Sequence, residues 1–140
     1  MILGCVVCAP GAVQACLLPE GDAAPLPATG EELISPIRYL AAVGGDVALP
    51  CADAPMNLPR GFAAQVSAHP DAVFDLSGMS GRILAVRAFA ECPVRLIVNT
   101  GQGVWMTGGP LAIPAEATHG EELYIWGPGN GTLRVWLGAE

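Results

Sequence analysis

Glycine and proline interrupt this chain so often that long helices cannot survive in it. Eighteen Gly and 13 Pro are spread over 140 residues. Each costs an interior helix heavily, through backbone freedom in the one case and a missing N–H in the other. Between the breaks, apolar residues recur with period two. Leu84, Val86 and Ala88 fall on one face, Arg87 and Phe89 on the other. Val94, Leu96 and Val98 alternate with Arg95, Ile97 and Asn99. Leu133, Val135 and Leu137 alternate with Thr132, Arg134 and Trp136. Period two with one apolar face marks half-buried strands. About seven or eight short strands at roughly ten-residue spacing predict an all-β, antiparallel, jelly-roll-like β-sandwich over residues 44–140. The length suits one domain with one core.

The segment "RLIVNTGQGVWMTGGP", residues 95–110, reads as a hairpin. One strand runs to Thr100, Gly-Gln-Gly turns the chain, and a return strand passes through Trp105. Gly-Gly-Pro then stops the ladder, because proline cannot donate to it. Asn130-Gly131 fits a two-residue hairpin turn as well as a glycosylation sequon. Residues 31–43 open with helix formers, but Pro36 limits them to a short helix or a strand.

Residues 1–15, MILGCVVCAPGAVQA, carry no charge and are mostly apolar. A run this short cannot span a bilayer, which takes about 20 residues. It suits a signal peptide, although a basic n-region is absent. Three readings stay open: a cut after Ala15, lipidation of Cys16 within the lipobox-like Val13-Gln14-Ala15-Cys16, and an uncleaved N-terminal strand. Residues 16–43 serve as linker and lead-in, with three Pro, two Gly and four acids between 17 and 32. The expected location is the periplasm or cell envelope.

Five cysteines occur. Cys5-x-x-Cys8 lies in the apolar leader without the further ligands that a metal needs. Cys51 and Cys92 flank strand-like runs. In an oxidising compartment they pair as a disulfide; otherwise they are two buried thiols.

The net charge is −7, and the six basic residues are all Arg and scattered. Nucleic acid needs a concentrated positive patch, so it is excluded as a partner. His69 and His119 sit in turn-like contexts with no metal spacing. Ser77 and Ser80 lie in a Gly-rich turn that does not form G-x-S-x-G. No catalytic residue, metal site or cofactor is assigned, and the chain is read as a non-enzyme. Trp105, Trp126 and Trp136 lie in or beside strands, with Tyr124 and Trp126 on one face. An outward Trp beside Arg134 could stack on a sugar or a partner side chain. It could equally pack under a loop.

The stretches "GGDVALPC", "FDLSGMSGRILAVRAFAEC", "CPVRLIVNTGQGVW" and "GTLRVWLG" together resemble the pre-peptidase C-terminal-like β-sandwich domains of exported bacterial proteins. The resemblance covers about residues 44–138. It implies a non-catalytic accessory module linked to substrate or polymer binding. The family often carries aspartates after its tryptophan strand, where calcium could sit; here Met106-Thr107-Gly108-Gly109-Pro110 stands instead. Calcium is therefore not carried over, because hard cations need several oxygen ligands. Glu116, Glu121 and Glu122 are expected on a solvated rim. The first reading is an exported module that binds a protein or a polysaccharide through Trp105, Trp126, Trp136 and Arg134. The alternatives are an envelope lipoprotein, tethered to the membrane only through Cys16, and a small hydrolase. Oligomeric state is left open.

Overall fold

The computed structural model describes residues 2–4, 16–20, 24–51, 58–111 and 119–140. The protein is a β-sandwich. One sheet contains β1 (Ile2–Gly4), β3 (Leu40–Ala42), β7 (Ile83–Ala90), β10 (Gly109–Pro110) and β11 (His119–Trp126), ordered β10-β11-β7-β1-β3. The other contains β2 (Leu26–Thr29), β4 (Val47–Leu49), β5 (Ala64–Val66), β6 (Ala72–Ser77), β8 (Val94–Asn99), β9 (Trp105–Thr107) and β12 (Gly131–Ala139). Its order is β2-β6-β12-β5-β4, with β8 also on β12 and β9 beyond β8. Most pairings are antiparallel. The parallel ones are β1 with β3 and β7, and β2 with β6.

The alternation read from the sequence places the core. Leu84, Val86 and Ala88 of β7 face Leu133, Val135 and Leu137 of β12, and Leu96 and Val98 of β8 join them. The hairpin at 95–110 also forms, with Asn99 opposite Trp105. Its turn closes through Gly103 N–H to Thr100 O at 2.9 Å and Thr100 N–H to Val104 O at 2.9 Å. Gly103 takes φ +79°, a left-handed value that suits glycine.

Several expectations change. Residues 16–43 contribute β2 and β3 to the two sheets, and Ile2–Gly4 is the strand between β3 and β7. Gly109–Pro110 does not end the ladder but carries the chain into the other sheet, onto β11. Asn130-Gly131 is not a hairpin turn, since β11 and β12 lie in different sheets. Asn130 instead accepts a hydrogen bond from Met79 N–H at 3.1 Å. The helix-like start at residue 31 becomes one 3₁₀ turn, Glu32–Ile34, before Pro36. Thr29 Oγ1 accepts from Glu32 N–H at 3.1 Å and donates to Glu32 Oε1 at 2.9 Å, so the turn is held at its start.

The cysteine pairing is corrected. Cys51 is bonded to Cys16, across 35 residues, and not to Cys92. Cys92 is held in a disulfide of its own. In this pairing the Cys16 sulfur is bonded to Cys51. Cys5, Cys8 and Glu116 lie outside the described residues.

A second apolar cluster covers the outer side of β8 and β12. Val47, Leu49, Phe62, Ala64 and Val66 fold over Ile97 and Trp136, with Leu17 alongside. The two central strands are thus buried on both faces. Gly138 permits this close approach: a Cβ there would stand 2.8 Å from the Ala64 Cβ and 3.0 Å from Val66 Cγ1.

Candidate functional site

The four sequence candidates divide between opposite sides of the sandwich. Trp136 is fully buried, its ring 5.1 Å from that of Trp105. Its indole N–H points at Ala68 O, 3.4 Å away. Trp105 is half-buried against it. Arg134 lies on the same sheet and donates from Nη1 to Asn99 Oδ1 at 3.1 Å. Asn99 is the register partner of both Arg134 and Trp105, so these three form one rung across β12, β8 and β9. Burial of Asn99 and half of Trp105 leaves that rung little free surface. Trp136 is therefore a packing residue and not a contact residue, and half-buried Trp105 packs against it.

Trp126 belongs to the other sheet and is 77% exposed. It shares the outer face of β11 with Tyr124 and Glu122, while Ile125 turns into the core. The antiparallel register sets these residues opposite the outer face of β7: Trp126 against Ile83, Tyr124 against Ala85, and Glu122 against Arg87. The result is a ridge two strands wide. Alternate residues along a strand lie about 7 Å apart, so the two aromatic side chains stand side by side along one edge. Ala85 is small and leaves the space opposite Tyr124 low.

Polar groups continue the ridge. Arg87 Nε donates to Glu122 Oε2 at 3.2 Å, and Arg87 Nη2 donates to the Tyr124 hydroxyl at 2.9 Å. The guanidinium lies 5.7 Å from the Tyr124 ring centre. The Tyr124 hydroxyl and the Glu122 carboxylate together hold Arg87 above its ordinary pKa, so it stays a cation throughout. This is a pre-set fork of donors and acceptors beside two exposed rings. It suits a ligand with a flat apolar face and equatorial hydroxyls.

Two carboxylates, Asp71, which the sequence did not mark, and Glu121, are pulled inward, and both serve the backbone. Asp71 Oδ2 accepts from Leu137 N–H at 2.8 Å, where β6 stops pairing with β12. Burial lifts its pKa to about 6, against the lowering effects of the Leu137 and Ser67 hydrogen bonds. Glu121, expected on a solvated rim, is buried and accepts from Leu96 N–H at 2.6 Å. Burial raises its pKa, while the Leu96 bond and Arg95 lower it. Arg95 Nε stands 3.7 Å from Glu121 Oε2, a charge contact too long for a hydrogen bond, and its guanidinium stacks 4.3 Å from the Phe62 ring centre. Both carboxylates replace a missing ladder partner, which gives each a structural task.

Ser77 ends β6 in one sheet and His119 opens β11 in the other. Among the described residues, no three His, Cys, Asp or Glu side chains gather as a metal site would. No helix there is long and apolar enough to cross a membrane. Compared with protein-family models, curated proteins and solved structures, the chain matches none.

Proposed function

We propose that the protein is a non-catalytic, exported binding module that recognises an extended polysaccharide on the outer face of β11 and β7. The observation that carries this reading is Trp126, an indole left 77% exposed at the end of a ridge that also presents Tyr124, Glu122 and Arg87. An exposed indole costs solubility, and a sugar ring that stacks on it removes apolar area from water. Tyr124 offers a second stacking position, and the Arg87–Glu122 pair offers hydroxyl partners. The disulfide between Cys16 and Cys51 supports the exported part of the reading, since such bonds persist in oxidising compartments.

Affinity electrophoresis through gels that contain soluble glucans, mannans, xylans or chitosan tests the proposal. Retardation by at least one polymer, abolished in Trp126→Ala and reduced in Tyr124→Ala, is expected. Both side chains are exposed, so the variants should stay folded. Free migration of the folded wild type through every polymer would overturn the polysaccharide reading.

A further inference from the structure

A cavity of about 660 Å³ opens between the sheets; Ile83, Ala85 and Arg87 of the ridge line it, whereas Trp126 and Tyr124 do not. It is lined by Ile83 to Arg87 of β7, ahead of the Phe89 and Ala90 positions that pair with β1, and by Leu33, Ile34, Pro36, Ile37 and Tyr39 from the segment before β3. The walls come from both layers of the core, with Leu76 and Leu133 on one side and Leu84 and Val86 on the other. At the lip stand Ile34, 71% exposed, and Ile37, 46% exposed. Such apolar side chains gain from any chain that lies over them.

The charge around this opening runs against that of the whole molecule. The chain has 13 acidic and six basic residues. Yet Arg38, Arg82 and Arg87 line the cavity, and no Asp or Glu does so among the described residues. Arg87 is engaged with Glu122. Arg38 and Arg82 have no carboxylate partner there. The Arg82 side chain lies close over Gly30, where a Cβ would meet its Cδ at 2.6 Å. That contact sets its stem against the cavity wall.

We propose that this cavity binds a single-chain anionic amphiphile, a free long-chain fatty acid. The hydrocarbon chain would lie between the sheets under Ile34 and Ile37, and its carboxylate would meet Arg38 and Arg82 at the rim. The volume falls within the range of about 300–1,000 Å³ typical of sites that enclose one small ligand. An apolar interior with a cationic mouth matches a molecule with an apolar body and one anionic end. Guanidinium groups suit the carboxylate because they present paired donors to its two oxygens.

Calorimetric titration of the full chain with saturated fatty acids below their micelle concentrations tests the assignment. One-to-one binding is expected, tightening by about fourfold per added methylene from octanoate until the cavity is filled. Dodecanoate should bind at least tenfold more tightly than dodecanol. Arg38→Gln/Arg82→Gln should lose that preference and still bind dodecanol; both residues are exposed, so folding should be retained. Trp126→Ala, which does not touch the cavity, should bind dodecanoate as the wild type does. That variant separates this proposal from the polysaccharide reading, because each can fail alone. No binding of dodecanoate by the folded wild type would overturn the proposal. So would equal affinity for the acid and the alcohol, or binding only to phosphatidylglycerol vesicles.

Discussion

Trp136 of β12 and Trp105 of β9 lie ring against ring at 5.1 Å with a 33° tilt, on the side of their sheet that faces away from the main core. One strand of the sandwich is thereby sealed on both faces. Removal of the buried indole leaves a cavity under β4 and β5, which cannot collapse without disturbing the β12 ladder. Trp136→Ala should cost about 3–5 kcal/mol in urea unfolding. A loss below 1 kcal/mol would show that the second cluster does not hold the fold. Trp126→Ala should change stability by less than about 0.5 kcal/mol in the same experiment.

The Cys16–Cys51 bond ties the segment before β2 to the end of β4. Non-reducing peptide mapping should recover residues 16 and 51 on one cross-linked peptide and should not recover 51 with 92. Cys51→Ser should lower stability by about 2–5 kcal/mol. It should also make Cys16 reactive to iodoacetamide.

Asp71 gives the fold a pH dependence of definite sign. Its pKa rises from 3.8 in the unfolded chain to about 6 in the folded one, mainly through burial. The folded state therefore holds the proton more tightly, and the ionised carboxylate is a cost that is complete above about pH 6. As pH falls from 7 toward 4, this group should make the protein more stable, by at most about 3 kcal/mol. Asp71→Asn keeps an oxygen for Leu137 N–H and should flatten the rise. Glu121 acts in the same direction, so some slope should remain. Melting temperature across pH 4–7, compared between wild type and variant, decides it.

Gly138 is the point where β5 lies tightest on β12. A methyl group there would stand 2.8 Å from the Ala64 Cβ. Gly138→Ala should destabilise the protein by about 1–3 kcal/mol through overpacking. Gly138→Ala/Ala64→Gly removes the closest of these contacts and should recover part of that loss. Chemical denaturation of the two variants provides the comparison.

Local pattern alone determined the class of this protein and most of its longer strands. Alternation is written into each segment, so β7, β8, β12 and the turn at Gly103 could be read without knowing any partner. The same pattern placed Tyr124 and Trp126 together on one face of β11. Tertiary structure decided the rest, because alternation separates two faces without saying what covers either. The hydrophobic side of Leu133, Val135 and Leu137 was legible as core. The burial of Trp136 opposite them was not, since it depends on β4 and β5 folding back over β12 from distant sequence. Cysteine pairing was underdetermined for the same reason, as connectivity follows from which ends meet in space. Glu121 read as a rim acid, and nothing marked Asp71, until the ladder was assembled. Only then did Leu137 and Leu96 stand with backbone N–H groups that a side chain had to satisfy. The cavity beside Arg38 and Arg82 is likewise a property of the assembly: its walls come from both sheets and from the segment before β3.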